Sequence, residues 1–408
     1  MFSLAVTFLC LLCPVTSAAS LSSQTCIVPS GQQWLVTGLE NQLMNSINHL
    51  CSPDPSALIA LNLAKNQDVC VPGQLLQQIK DTAAQEMTSG KVALYVLALR
   101  SSCENPREVV TPNGKINLVQ ILEDKTREET ESYKKRSPKT TFYQLALDAL
   151  ALCFEESPDI ENVAGILIKA ANDLQLREDF SVDTAAMVSL ALVCVYDDPS
   201  SNNLREKIPK VLKLLIDHIL EKQQENGIIG NIYSTGLAIQ ALSVTSQFWS
   251  QDRWNCTKTL NKALQEAYLG AFNNPGAISQ ILPSLVGKTY LDVKNLQCLP
   301  VNPIRVNYTI INHLIGLYFE HSIIVDVPPC SVLLDVLEAA KRDEPREFSF
   351  KTKETCWGPM VISINDIKAD ENEKTYWQFL SGNKPLDQGV GSYKPSNNEN
   401  IVAIFSKY

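Results

Sequence analysis

Six short segments of this chain are apolar nearly all the way round a helix. They read ALIALNLA from Ala57, VALYVLALRSSC from Val92, QLALDALALC from Gln144, AAMVSLALVC from Ala185, GLAIQALSV from Gly236 and AISQILPSL from Ala277. A helix without a polar face is a buried helix. The stretches between them are one-sided. In 209–222, Leu212, Leu215, Ile216, Ile219 and Leu220 fall on one stripe, with Lys210, Lys213, Asp217 and Glu221 elsewhere. Six buried helices alternating with six amphipathic ones predict a closed ring of helical hairpins, an α6/α6 toroid. In such a ring the inner helices run parallel, so their N-terminal ends gather round one mouth.

The helical pattern stops near Val293. Residues 295–305 carry Cys298 and two prolines and read as a linker. Beyond them Val306, Tyr308 and Ile310 alternate with polar neighbours, and 323–327, 348–350 and 401–405 are strand-like. One helix interrupts them, with Ser331 as its cap, an apolar stripe of Leu333, Leu334, Leu337 and Ala340, and Lys341 and Arg342 at its C-terminal dipole end. The chain is therefore expected to be mainly α, with a helical domain over 20–294 and a small β-rich α+β domain over 306–408.

Residues 1–19 read as a secretory signal peptide, an apolar run followed by small residues Thr16 to Ala19. Removing it leaves ten cysteines, an even number that points to disulfides in an oxidising compartment. With no CxxC pair and four scattered histidines, a zinc site is not expected. Sequons at Asn255 and Asn307 fit a secreted glycoprotein, Asn307 in the stronger context. The net charge of −9 and the lack of a basic cluster argue against nucleic acid and anionic membranes. No segment after residue 19 is long and apolar enough to span a bilayer.

Polar residues precede three of the buried helices: SPKTTFYQ from Ser137, FSVDT from Phe180 and GIIGNIYST from Gly227. Each can cap its own helix. Taken together, parallel helices place Thr140, Tyr143, Asp183, Asn231 and Ser234 on one rim, rich in neutral donors and acceptors with one carboxylate. Such a rim suits a ligand covered in amides and hydroxyls. The small domain adds CWGP at 356–359 and TYWQFLSG at 375–382, two tryptophans among glycines and serines, as a second, aromatic face.

At these residues the chain resembles the vertebrate cobalamin-binding proteins: intrinsic factor, haptocorrin and transcobalamin. The likeness rests on SVDTAAM at 181–187, NGIIGNIYSTGLAIQAL at 226–242, ILPSLVGKTYLDV at 281–293 and TYWQFLSG at 375–382. The 226–242 stretch is most like intrinsic factor, whereas 140–153 and the ending 397–408 are more like haptocorrin. The resemblance implies vitamin B12, cobalamin, as cargo, sandwiched between an α6/α6 barrel and a small β-rich domain. It implies that Thr140, Tyr143, Gln144, Asp183, Asn231, Ser234 and Gln280 hold the corrin from the helical side. Trp357, Gly358, Pro359, Met360 and Val361, with Trp377, Gln378, Phe379, Leu380 and the loop to Leu386, would cover the other face. Lys91 stands where some members carry a corrin-contacting Gln. Asp179 and Phe180 stand where transcobalamin has a cobalt-coordinating His, so no protein ligand to cobalt is expected. The family pattern implies the disulfides Cys26–Cys256, Cys103–Cys298 and Cys153–Cys194, which leaves Cys51 to pair with Cys70 and Cys330 with Cys356.

The reading is a secreted, monomeric, non-catalytic carrier delivered to a cell-surface uptake receptor. The rival is an enzyme acting on glycans, since α/α toroids also serve glycosidases. That chemistry needs paired carboxylates in the mouth, and the sequence places only Asp183 there. A complement-like thioester domain is a further rival, but its Cys-Gly-Glu-Gln stretch is missing.

Overall fold

Each of the six apolar segments is a helix, and each helix starts on a side-chain oxygen. The computed structural model describes residues 26–47, 52–65, 70–173, 181–198, 203–297 and 302–408. The inner helices are α2 (Pro55–Ala64), α4 (Ser89–Ser101), α6 (Phe142–Phe154), α8 (Val182–Asp197), α10 (Ser234–Val244) and α12 (Pro275–Leu285). Asp54, Thr88, Thr141, Ser181 and Asn274 accept backbone N–H groups of the first turns of α2, α4, α6, α8 and α12. Asn231 does the same for α10, its Oδ1 taking the N–H groups of Tyr233 and Ser234 at 2.8 and 2.9 Å. Each such cap contributes about 1 kcal/mol.

Inner neighbours pack in the order α2, α4, α6, α8, α10, α12 and back to α2, which closes the ring. The outer helices are α1 (Gln33–Ile47), α3 (Cys70–Thr82), α5 (Leu118–Lys134), α7 (Ile160–Asn172), α9 (Ile208–Glu221) and α11 (Cys256–Tyr268). On α9 the buried residues are Ile208, Val211, Leu212, Leu215, Ile216, Ile219 and Leu220, the expected stripe. Inner helices are buried on every side because they touch both ring neighbours and an outer helix. Each buried Leu or Ile contributes about 1.5–3 kcal/mol relative to exposure.

After α12 the chain turns into the bore. A 3-10 segment, Tyr290–Asn295, packs inside against α2, α4 and α8. Thr289 and Asp292 lock its start, the Asp292 carboxylate accepting from the Thr289 backbone at 2.8 Å.

From residue 304 the chain is mostly strand. A five-stranded sheet has β4 (Phe319–Val327), β3 (Ile304–Asn312), β10 (Glu399–Lys407), β8 (Thr375–Ser381) and β9 (Lys384–Pro385) in that order. β10 runs parallel to β3, with Ile401 opposite Tyr308, and antiparallel to β8. A second sheet joins β5 (Phe350–Thr355), β6 (Gly358–Ile364) and β7 (Ile367–Lys368). The helix α13 (Leu333–Asp343) packs on β4 and β3. Its cap differs from expectation: Val332 occupies that position and its N–H is taken by the Asp335 carboxylate at 2.8 Å, so Ser331 lies one residue outside. The hydrophobic cores of the ring and the sheets are separate clusters.

Two implied disulfides are present, Cys26–Cys256 and Cys153–Cys194. Cys103 is also disulfide-bonded; its implied partner Cys298 lies outside the described residues, as does the expected signal peptide. The remaining pairings are corrected. Cys70 bonds Cys330, with Cα atoms 5.3 Å apart, and Cys356 is a free, exposed thiol. Cys51 lies outside the described residues. Pairing by elimination kept each bond within its own part of the chain. Here the start of α3 instead meets the turn before α13, at a Cα separation within a disulfide's reach.

Candidate functional site

The six caps mark the rim, and the expected residues stand on it. The segment before α6 is braced from α5: the Tyr133 hydroxyl donates to the Thr140 carbonyl at 2.7 Å, and its ring stacks on Phe142 with centroids 4.9 Å apart. Thr141, not Thr140, caps α6. The Thr140 hydroxyl is thereby left to donate to Gln144 Oε1. Tyr143 is half-buried beside them. Burial, then the charge of Asp183, pushes its phenol up to about 12, so it stands as a neutral donor.

Across the mouth the Ser234 hydroxyl donates to Asp183 Oδ2 at 2.9 Å, tying α10 to α8. Asp183 Oδ1 is buried with no protein partner. Burial raises the Asp183 pKa, and the bond from Ser234 works against it. An unmatched buried carboxylate oxygen is costly unless a donor arrives, so it marks a place for one. Asn231 uses its Oδ1 on the helix start, which leaves its amide N–H groups free to donate.

Two glycines set these positions. Gly230, at φ +70°, makes the turn before Asn231, and a Cβ there would lie 2.8 Å from Val182 Cγ2. Gly236 lets α10 press on α12: a Cβ would meet the Gln280 carbonyl oxygen at 2.6 Å. Gln280 is half-buried more than a turn inside α12.

Beneath the rim the bore is filled. Tyr290 is buried there, its N–H donating to Gln240 Oε1 at 3.0 Å, while Gln240 Nε2 reaches the Gln280 carbonyl at 3.4 Å. Burial, then the charges of Tyr143 and Asp54, raises the Tyr290 pKa. A ligand on the rim would therefore rest on a floor rather than above a pore.

The sequence reading missed this floor. It also missed Asp148, a fully buried carboxylate in the wall between α4, α5 and α6. The hydroxyls of Ser89 and Thr126 flank it without closing hydrogen bonds of good geometry, and among the described residues no cation balances it. Burial pushes its pKa up to about 7; the two hydroxyls work against that, and the nearby Glu129 adds to it. The available clue was a polar residue in the middle of each of two largely apolar segments, Asp148 in QLALDALALC and Gln240 in GLAIQALSV.

On the small domain the expected residues divide. Trp357 sits at the β5–β6 turn and is 90% exposed. That turn is held by the Thr355 hydroxyl, which donates to the Gly358 carbonyl at 2.7 Å and accepts from the Trp357 N–H at 3.1 Å. Met360 is exposed beside it, whereas Val361 is buried. Gly391 packs so closely on Pro359 that a Cβ would come within 2.9 Å of its ring. This joins the turn to the segment after Leu386. Trp377 is a core residue: its indole N–H donates to the Ile367 carbonyl at 3.0 Å and its ring meets Phe405 at 5.1 Å. The pleat of β8 turns Gln378 and Leu380 to the other side, while Phe379 and Leu386 pack partly on the core.

The rim and the small-domain face are not brought together. Among the described residues no hydrogen bond, ion pair or ring contact joins them. The Cys70–Cys330 bond lies at the start of α3, the end of the ring away from the rim. Asp179 and Phe180 lie outside the described residues.

The family model described as eukaryotic cobalamin-binding protein matches residues 8–307, and a domain of unknown function matches 331–407. The chain is 40% identical to cobalamin binding intrinsic factor of Homo sapiens over 431 aligned residues, covering 99% of each protein. It is 35% identical to human transcobalamin-1 over 381 residues, 86% of this chain and 87% of that one. Among solved structures it matches haptocorrin in complex with Cbi, with a TM-score of 0.59 and 33% identity over 94% of this chain and 100% of that one.

Proposed function

The chain belongs to the eukaryotic cobalamin-binding protein family, and from that premise we propose that it is a secreted carrier that encloses cobalamin between the ring's rim and the small domain. The observation that carries this reading is the composition of the rim. Six capped helix starts present hydroxyls, amides and two carboxylates, Asp54 used as a cap and Asp183 only part-satisfied, a match for a macrocycle edged with amide side chains. Thr140, Tyr143, Gln144, Asp183, Asn231, Ser234 and Gln280 bind that edge. Trp357, Gly358, Pro359, Met360, Gln378 and Leu380 cover the opposite face, with Val361, Trp377, Phe379 and Leu386 supporting them from the core.

Enclosure requires the small domain, 306–408, to move over the rim of 20–294 about the linker 295–305. The Cys70–Cys330 bond is a fixed point of that movement. Burying both faces of the ligand gives slow release, because every matched amide must part before it leaves. The carrier acts as a monomer, carries glycans at Asn255 and Asn307, and delivers its cargo to a cell-surface receptor. Asn255 is exposed at the start of α11, whereas Asn307 is half-buried with its amide on Asn400 at 2.9 Å, which makes Asn255 the more accessible acceptor. Among the described residues no helix is long and apolar enough to cross a membrane.

The test is the visible absorption spectrum of the secreted protein after adding cyanocobalamin and desalting. One corrinoid retained per chain supports the carrier; a colourless protein overturns it.

A further inference from the structure

Lys91 is the single basic side chain in the first turns of the six inner helices. It stands at the positive end of the α4 dipole, where an ammonium is disfavoured. Its direction follows from its neighbours. Ser89 faces the wall, beside Asp148 and Thr126, and Gly90 faces α6, where a Cβ would lie 2.9 Å from Gln144 Cγ. Successive helical residues turn by about 100°. Lys91 is therefore about 200° from Ser89, on the bore side of α4, one turn above half-buried Leu94. Among the described residues no carboxylate forms an ion pair with its Nζ, which lies over the Tyr95 ring, 5.9 Å from the centroid. A half-buried cation at a disfavoured position, without an ion-pair partner among the described residues, is matched to an anion brought by the ligand.

Resting on the carrier reading, we infer that Lys91 reads the phosphodiester of complete corrinoids. That group is the ligand's one fixed negative charge outside the corrin and its axial ligands. It is absent from cobinamide, which lacks the nucleotide. Lys91 thus makes the rim discriminate between the two, adding a charge-assisted hydrogen bond that only the complete ligand can accept.

The experiment compares wild type, Lys91→Gln and Lys91→Ala for binding of cyanocobalamin and dicyanocobinamide at low and high salt, with thermal unfolding of the ligand-free proteins. Both variants are expected to lose about tenfold in affinity for cyanocobalamin. They are expected to keep their affinity for dicyanocobinamide and to lose most of the salt dependence of cobalamin binding. Ligand-free Lys91→Gln should unfold at the same temperature or higher, since the ammonium opposes the dipole, an effect a purely structural lysine would not give. Equal weakening towards both ligands, or no weakening, overturns the assignment while leaving the carrier reading intact. Failure of the wild type to retain either corrinoid overturns both.

Discussion

The ring and the small domain present opposite kinds of face. On the rim three polar side chains are already positioned by neighbours: Thr140 by Gln144, Ser234 by Asp183, Asn231 by its own helix start. On the small domain the most prominent side chain, Trp357, is 90% exposed on a turn stabilised mainly by Thr355. A preorganised polar surface selects, because its donors and acceptors cannot rearrange to suit a wrong ligand. An exposed aromatic surface adds apolar area once the selected ligand is in place. On the proposed reading the difference teaches a division of labour, with recognition in the ring and retention in the small domain.

The sharpest way to separate the two regions is acid. Asp148 in the ring has its pKa raised to about 7, above its unfolded value, so the folded ring holds a proton that the unfolded chain gives up. Ring stability should fall as pH rises from about 4 to 7, by on the order of 4 kcal/mol in all. Asp148→Asn should remove most of that slope in urea unfolding followed across the range. Glu399 in the small domain goes the other way. Burial raises its pKa, but donation from Ser381, Tyr393 and the Ser396 backbone outweighs that and leaves it lowered. Its contribution is present above the ordinary carboxylate range and disappears as the pH drops below it. Acid should therefore loosen the small domain before the ring, and Glu399→Gln should abolish that order.

Packing gives the next contrast. Gly236→Ala drives a methyl into the Gln280 carbonyl and the Ile281 Cα, backbone atoms that cannot swing aside, and should destabilise by about 3 kcal/mol. Gly382→Ala in the small domain meets open space, and its φ of +57° limits the cost to about 1 kcal/mol. Chemical denaturation of both variants checks the pair. Among binding effects, Trp357→Ala should leave stability within about 0.5 kcal/mol of wild type while releasing cobalamin faster, by about 2 kcal/mol in retention. Ser234→Ala should weaken association by about 1 kcal/mol through loss of the Asp183 bond. Stopped-flow binding and release of cyanocobalamin reads both.

These regions also differed in how far they could be read from the sequence. The ring was legible because an inner helix must be apolar all round, and its caps must be Asp, Asn, Ser or Thr. ALIALNLA and AAMVSLALVC are such helices, and Asp54 and Ser181 are such caps. The Tyr290 floor was not legible, because a short 3-10 turn has no period of its own. In the small domain β3 and β10 showed their alternation. β8 did not stand out, since TYWQFLSG mixes core and outer side chains of similar character, and only the pleat separates Trp377 from Gln378. The disulfides Cys26–Cys256 and Cys153–Cys194 followed from the resemblance, but the partner of Cys70 did not: it meets Cys330 across 260 positions, and no local pattern encodes that.

The central claim is that one ligand touches both faces, and hydrogen–deuterium exchange with and without cyanocobalamin tests it most directly. The account predicts slowed exchange in the rim segments 140–144, 181–184 and 231–236 together with 355–361 and 378–386 of the small domain. Protection confined to the rim, with the Trp357 turn exchanging as in the free protein, would contradict it.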